Sequence, residues 1–304
     1  MFINDLPDSV KHDSQVFLYA DDTKIFRKIK EREDCDKLQE DLDELKGWTE
    51  KWLMNFHPDK SKHMRIGQSE IEDKVYNMYS KINKTRVEKD IGVVIDNKLM
   101  FSDHLAEKIN KANKIVGLIR RTFIHLDPAV FKTLYTALVR PHLEYANQVW
   151  SPHLDVEAVE NVQRRATKLV PCLKDLPYGE RLRQLELPTL AYRRSHGDQI
   201  ETFKIVTRKY DIDCTEGLFD LREDSTTRGN SKKIFKPRAR LNVRKFSFPN
   251  RVVNTWNSLP EWVVNADSVE SFEAKLDKFW KNQEQKFSYR AQSHHAQPTQ
   301  CSGC

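Results

Sequence analysis

The sequence predicts an α+β protein, on three observations. Residues 15–28 set β-branched and aromatic residues on either side of the short polar pair Asp21-Asp22, the pattern of a hairpin. From 31 to 56, and again from 102 to 208, apolar residues recur at steps of three and four, the period of an amphipathic helix. Between those stretches, 64–67, 75–79 and 91–95 read as short strands.

Composition narrows the class. At 304 residues the chain can bury one large core or two domains. Charged residues make up 32%, and no apolar run approaches the roughly 18 residues of a membrane span, so a membrane is not an expected partner. The start, Met1-Phe2-Ile3-Asn4-Asp5, lacks the basic and long apolar regions of a signal peptide. Five cysteines, an odd number and mostly isolated, argue against a disulfide framework and for a reducing, intracellular setting. The net charge of +6 is modest, so its distribution matters more than its size.

Asp21 and Asp22 are expected at the hairpin tip. Two carboxylates there can hold a hard cation such as Mg²⁺, which takes oxygen ligands and leaves sites for phosphates. The same pair also suits a plain turn, because Asp tolerates turn geometry. The helix expected from Glu31 to Phe56 carries Cys35, Leu38, Leu42, Leu45, Trp48 and Trp52 on one face. Its acidic, lysine-rich opposite face reads as solvated surface, and Pro58-Asp59 breaks it. Lys60 then lies in a loop. Gly92, inside a strand pattern, marks a bulge, a close backbone approach or a tight bend.

From Ser102, a capping residue, a helix carries Leu105, Ile109, Ala112, Val116 and Ile119 on one face. Asp127-Pro128 starts another, expected to stop or kink at Pro141. Asp155 caps a helix over 156–170, and further helices fit 180–187 and 189–208. Residues 209–227 read as a linker. From Arg228 to Arg251 there are nine Lys or Arg residues and no Asp or Glu, with Ile234, Phe235, Phe246 and Phe248 interleaved. Such a run suits either phosphate binding with base stacking or a solvated loop whose aromatics pack on the helices. The candidates for nucleic-acid contact are Lys232, Lys233, Lys236, Arg238, Arg240, Arg244 and Lys245. A helix over 268–282 follows. The tail after 283 carries His294, His295, Cys301 and Cys304, a weak zinc pattern in a polar stretch that reads as disordered.

Several of these segments fit one family in order. Tyr19-Ala20-Asp21-Asp22 resembles the Tyr/Phe-x-Asp-Asp motif of reverse transcriptases. Phe2-Ile3-Asn4-Asp5-Leu6-Pro7 is similar to the lead-in of polymerases from retrotransposons without long terminal repeats. Trp52-Leu53-Met54-Asn55-Phe56-His57-Pro58-Asp59-Lys60-Ser61-Lys62 and Asp90-Ile91-Gly92-Val93-Val94-Ile95-Asp96 are similar to their next two palm motifs. Leu138-Val139-Arg140-Pro141-His142-Leu143-Glu144-Tyr145 and Trp256-Asn257-Ser258-Leu259-Pro260 point to the jockey-like branch. The resemblance covers about residues 1 to 280.

The resemblance implies an incomplete right-hand palm over 1–100, an all-helical thumb-like region over 101–210 and a basic linker with a C-terminal helix over 211–283. It implies a nucleotidyltransferase that extends a DNA primer on an RNA template, using deoxynucleoside triphosphates and Mg²⁺. Asp21 and Asp22 would be metal ligands, Tyr19 would pack under the primer end, and the Gly92 region would hold the primer terminus. Lys60 would assist the leaving pyrophosphate. In the resembling enzymes a third metal-binding Asp and the fingers lie upstream of the Asp-Asp hairpin, and only eighteen residues precede Tyr19 here. The expectation is therefore a C-terminal fragment that does not polymerise alone, since metal sites need their full ligand set. A non-enzymatic nucleic-acid-binding fragment, or the product of a decayed element, also fits these residues.

Overall fold

The computed structural model describes residues 3–67, 70–151, 155–211, 215, 217–222 and 230–291. The chain divides into two units, Met1–Leu99 and Met100–Cys304. Together they mix helices with small sheets. Among the described residues no helix is long and apolar enough to cross a membrane.

Among the described residues the first unit holds three separate two-stranded sheets. Strands β1 (Gln15–Tyr19) and β2 (Asp22–Phe26) form an antiparallel hairpin, with Tyr19 opposite Asp22 and Gln15 opposite Phe26. Strand β3 (Lys62–His63) runs parallel to β4 (Asn83–Lys84), and β5 (Val87–Asp90) pairs antiparallel with β6 (Val93–Asp96). The strands expected at 64–67 and 75–79 do not form. Asn77 makes an isolated bridge to Lys81, and the Arg65 guanidinium bonds the Ile71 carbonyl at 2.5 Å and Asp73 at 2.8 Å. Strand preference depends on cross-strand neighbours, which these runs lack. The run at 91–95 is a hairpin turn followed by β6: Ile91 and Gly92 both take positive φ, +42° and +78°, as a two-residue turn of the primed type requires.

Helix α1 (Arg32–Lys51) starts on a reciprocal capping box between Glu31 and Asp34. It stops five residues short of Phe56. Leu53 turns left-handed at φ +54°, its N–H bonds the Glu50 carbonyl at 3.3 Å, and the Met54 N–H bonds that of Thr49 at 2.9 Å. That is the Schellman closure, with leucine where glycine usually stands. Leu42, Leu45 and Trp48 of α1 form a core with Leu6, Tyr76 and Ile82, against which Leu18 and Ile25 of the hairpin pack. Each fully buried leucine contributes about 1.5–3 kcal/mol.

The second unit is built from helices. In α2 (Ser102–Thr122) the expected apolar face is inward, but the cap is Phe101 at φ +56°, and Ser102 is already helical. Helix α3 (Pro128–Leu134) starts as expected, with the Asp127 carboxylate accepting the N–H groups of Ala129 and Val130 at 2.8 and 2.9 Å. Pro141 does not stop the helix. A π-helical turn over Tyr135–Val139, in which the Arg140 N–H bonds the Tyr135 carbonyl, leads directly into α4 (Arg140–Glu144). The wider turn makes room for the proline ring, which has no N–H to satisfy.

Helices α5 (Asn147–Trp150), α6 (Val156–Ala166), α7 (Tyr178–Leu185) and α8 (Leu190–Val206) follow. The expected extension of α6 to residue 170 tightens instead into a 3₁₀ turn at Thr167–Leu169. After the basic segment come α9 (Asn242–Phe246), α10 (Phe248–Arg251), α11 (Val253–Asn257), α12 (Glu261–Val264) and α13 (Val269–Phe279), the last capped by the Ser268 hydroxyl on the Ser271 N–H at 3.1 Å. Helix α2 packs on α4 and α6, α6 on α8, and α8 on α13. Phe203, Trp256, Phe272 and Leu276 are fully buried at the heart of one core.

Candidate functional site

The β1–β2 hairpin has two faces because side chains alternate along a strand. Val16, Leu18, Thr23 and Ile25 are half-buried, whereas Phe17, Tyr19, Asp22, Lys24 and Phe26 are exposed. The rings of Phe17 and Phe26 stack diagonally across the exposed face, 5.5 Å between centroids and 3° from parallel. The connection is a two-residue turn, Ala20-Asp21, with Ala20 at φ +54°. Asp21 therefore stands in the turn itself, and Asp22 opens β2 beside Tyr19; both are exposed.

Asp21, Ala20 and Thr23 also line a groove of about 550 Å³, closed by Trp48, Met54 and Phe56 among others. Lys60 is exposed in the turn after Pro58, its N–H on the His57 carbonyl at 3.2 Å, and is not among the groove's lining residues. On the hairpin's exposed face, Lys24 forms an ion pair with Asp90. This pair ties the turn carrying Gly92 to the same face as Tyr19.

Buried acids of α1 hold the hairpin's base. Asp41, fully buried, accepts the N–H groups of Lys11 and His12 at 3.2 and 3.0 Å and the Ser14 hydroxyl at 2.5 Å. Arg27, just after β2, lies 3.8 Å from Asp41 and 3.5 Å from Asp34. The Lys30 N–H, backed by that of Glu31, holds the Asp34 carboxyl below its usual range. The helix face read as solvated thus conceals two structural carboxylates. Asp34 and Asp41 are seven apart, two turns of one helix, and that spacing was the available signal.

The basic segment is sorted by its anchors. Ile234 is buried, and its backbone is gripped from both sides by Asn257, whose Oδ1 accepts the Ile234 N–H and whose Nδ2 donates to its carbonyl, each at 2.9 Å. The Trp256 indole donates to the Lys232 carbonyl at 2.7 Å, and the Asn230 amide bonds the carbonyls of Trp256 and Leu259 at 3.1 and 3.0 Å. Lys232 and Lys233 are half-buried, and the Lys232 ammonium reaches the Val264 carbonyl at 3.2 Å. Lys236, Arg238, Arg240, Arg244 and Lys245 are exposed. Of the interleaved apolar residues, Ile234 is core, and Phe248 is half-buried with its ring 5.9 Å from that of Phe219. Phe235 is half exposed. Arg251, counted with the basic run, is inward: it forms a bidentate pair with Asp198, both bonds 2.9 Å.

The helical unit contains a polar network that apolar periodicity does not reveal. Glu160 is fully buried between α6 and α8 and accepts the Tyr178 hydroxyl at 2.6 Å and the Leu190 N–H at 3.0 Å. Burial pushes its carboxyl up, partly opposed by these bonds and by Arg194. Gln163 accepts from the Tyr135 hydroxyl at 2.6 Å and donates to Tyr178 and the Pro188 carbonyl, both at 3.0 Å. The bonds of Glu160 and Gln163 tie α6 to α7, to the start of α8 and to Tyr135. The tail with His294, His295, Cys301 and Cys304 lies outside the described residues. Among the described residues, no group of three or more His, Cys, Asp or Glu is placed to hold a metal ion. No family model, curated protein or solved structure matches the chain.

Proposed function

We propose that the chain is part of an RNA-directed DNA polymerase of the kind encoded by jockey-like retrotransposons without long terminal repeats. The observation that carries this reading is the hairpin: a Tyr-Ala-Asp-Asp sequence folded so that both carboxylates stand exposed at a two-residue turn, with Tyr19 opposite Asp22. Asp21 and Asp22 are hard oxygen ligands suited to Mg²⁺, which also takes phosphate oxygens. When bound, the metal supplies charge stabilisation to the attacking and leaving oxygens of phosphoryl transfer. In this reading the first unit is palm, and the Lys24–Asp90 pair keeps the Gly92 turn and Tyr19 on the side that meets the primer end. Lys60 neutralises charge on the pyrophosphate leaving a deoxynucleoside triphosphate. The helices of the second unit act as thumb, and its exposed cations meet the phosphates of the RNA template and DNA primer.

A second reading has its own support. Asp21 and Asp22 are joined by no third acid among the described residues, and two carboxylates without their full ligand set hold metals poorly. By itself, this polypeptide then binds nucleic acid without polymerising.

Two measurements on the full chain separate the readings. Mn²⁺ titration followed by electron paramagnetic resonance, with a deoxynucleoside triphosphate present, should show weak binding that Asp21→Asn and Asp22→Asn abolish; binding indifferent to both rejects the polymerase reading. Primer extension on an RNA template with Mg²⁺ should yield no product. Extension that disappears in Asp21→Asn would reject the second reading and make the polypeptide a polymerase in its own right.

A further inference from the structure

The exposed cations of the second unit are not scattered. Lys236, Arg238 and Arg240 alternate with half-buried Pro237 and Ala239, and no helix or turn interrupts 235–240. The alternation of exposure puts the three cations on the solvent side of an irregular ribbon, no more than about 7 Å apart at two residues per step. Phe235, 51% exposed, opens the ribbon. Arg244 and Lys245 continue it on α9. Among the described residues none of these five cations has an ion-pair or hydrogen-bond partner for its side chain. The neighbouring acid Glu261 is already engaged by the Ser231 N–H and hydroxyl, at 2.6 and 2.7 Å.

Both ends of the ribbon are fixed. Upstream, Asn257 and Trp256 hold the backbone of Lys232 and Ile234, and the Phe235 N–H bonds the Asp220 carbonyl at 2.7 Å. Downstream, the Asn250 amide and the Ser247 hydroxyl both bond the Arg244 carbonyl at 2.8 Å. A backbone held on both flanks leaves binding less main-chain freedom to remove, while the exposed cations, of which Lys245 also rests over the Phe246 ring, stay open to phosphate.

We propose that this ribbon is a site for single-stranded nucleic acid, in which Phe235 stacks on an unpaired base and Lys236, Arg238 and Arg240 meet successive phosphates of the same strand. Only the choice of nucleic acid as the ligand class rests on the polymerase reading. The preference for a single strand comes from the ribbon: it is neither a helix nor a two-stranded β-ribbon, the shapes that enter a duplex major groove. An exposed ring beside a row of cations is how sequence-tolerant single-strand sites are built.

The test is fluorescence anisotropy of the full chain with a twelve-nucleotide single strand, as RNA and as DNA, and with the matching duplex. It is run at several salt concentrations in EDTA, so that no metal bound at the hairpin contributes. The single strand should bind at least about tenfold more tightly than the duplex. Phe235→Ala should weaken single-strand binding by about fivefold or more, with Phe235→Trp restoring it. The triple change Lys236→Ala, Arg238→Ala, Arg240→Ala should flatten the slope of log K against log salt by about 2. Equal or tighter duplex binding would overturn the single-strand assignment and leave the polymerase reading standing. Single-strand binding indifferent to these variants would overturn the site. Failure to bind any nucleic acid, with capture of poly-glutamate or anionic vesicles instead, would overturn the ligand class.

Discussion

Asp198 and Arg251 offer the sharpest energetic test of the second unit. Their side chains are only 8% and 14% exposed, and the guanidinium makes two parallel 2.9 Å bonds to the carboxylate. It also reaches the carbonyls of Gln148, Asn147 and Phe246 at 3.1, 3.2 and 3.4 Å. Asp198→Ala removes two charge-assisted bonds and leaves a buried cation, a change that costs about 3–5 kcal/mol. The three remaining carbonyls still solvate the guanidinium, so the loss should fall near about 3 kcal/mol. Arg251→Met should cost less. Burial already pushes the Asp198 carboxyl up, so without its partner it takes a proton more readily than Arg251 can shed one. The double variant should lose less than the two single losses together, by more than about 1 kcal/mol. Urea unfolding of the full chain, followed by circular dichroism and tryptophan fluorescence, measures all four corners of the cycle. Losses that add within about 0.5 kcal/mol would mean the pair is not coupled, and the account of Arg251 as an internal anchor would be wrong.

Two further outcomes follow from local geometry. Leu53 is left-handed and 92% exposed, so Leu53→Gly relieves a conformation that costs leucine about 1–2 kcal/mol while losing no packing. After the extra chain entropy of glycine, it should raise stability by about 0.5–1 kcal/mol in urea unfolding, and an unchanged or lower midpoint refutes the strain. His196 stacks on Tyr192 and faces Trp280, Asp277 and, at longer range, Glu273 and Arg193; burial, the largest influence, keeps its pKa below the usual 6.5 despite the two acids. The unfolded chain then takes the proton first as pH falls, so stability should drop from about pH 6.5 down through the folded value. His196→Phe keeps the stack and should flatten that fall between about pH 7 and 5, leaving the share of His63 and His142, which burial also lowers. A slope equal to that of the parent chain refutes the assignment.

Helices whose stability comes from apolar stripes were legible: the inward face of α2 and the Asp127-Pro128 start of α3 stand where their residues place them, and the helix expected over 268–282 forms over Val269–Phe279. The hairpin was legible from its alternation, but its tip lies one residue earlier than the Asp21-Asp22 pair suggested: the turn is Ala20-Asp21, and Asp22 already belongs to β2. What escaped was decided by backbone conformation or by distant partners. Nothing in Leu53 or Phe101 announces a left-handed residue, since glycine usually marks that position. The run 75–79 alternates like a strand but found no partner beyond one bridge. Pro141 read as a stop or a kink; the helix does not stop, because one widened turn before it accommodates the ring. Asp41 belonged to a helix face read as solvated, and Glu160 carried no sequence signal, because their bonds are to residues about thirty positions away.

Those distant bonds share a logic. Segments that keep charged side chains exposed gain little hold from those side chains, and here they are held through the backbone beside them. In the first unit the chain entering β1 is held by Asp41, which bonds two consecutive N–H groups and leaves the face with Phe17, Tyr19, Asp22, Lys24 and Phe26 exposed. In the second unit Asn257 brackets both polar groups of Ile234, and Trp256 takes the neighbouring carbonyl of Lys232, so that the ribbon beyond is placed without burying a cation. Each anchor is itself buried or half-buried, where a hydrogen bond is strongest and an unmet partner most costly. The Trp256-Asn257 pair, which the sequence offers only as a family-like signature, therefore acts through hydrogen bonds to the backbone of another segment. Its residues need touch no ligand to matter: replacing Asn257 would release the Ile234 backbone and with it the register of Phe235, Lys236, Arg238 and Arg240.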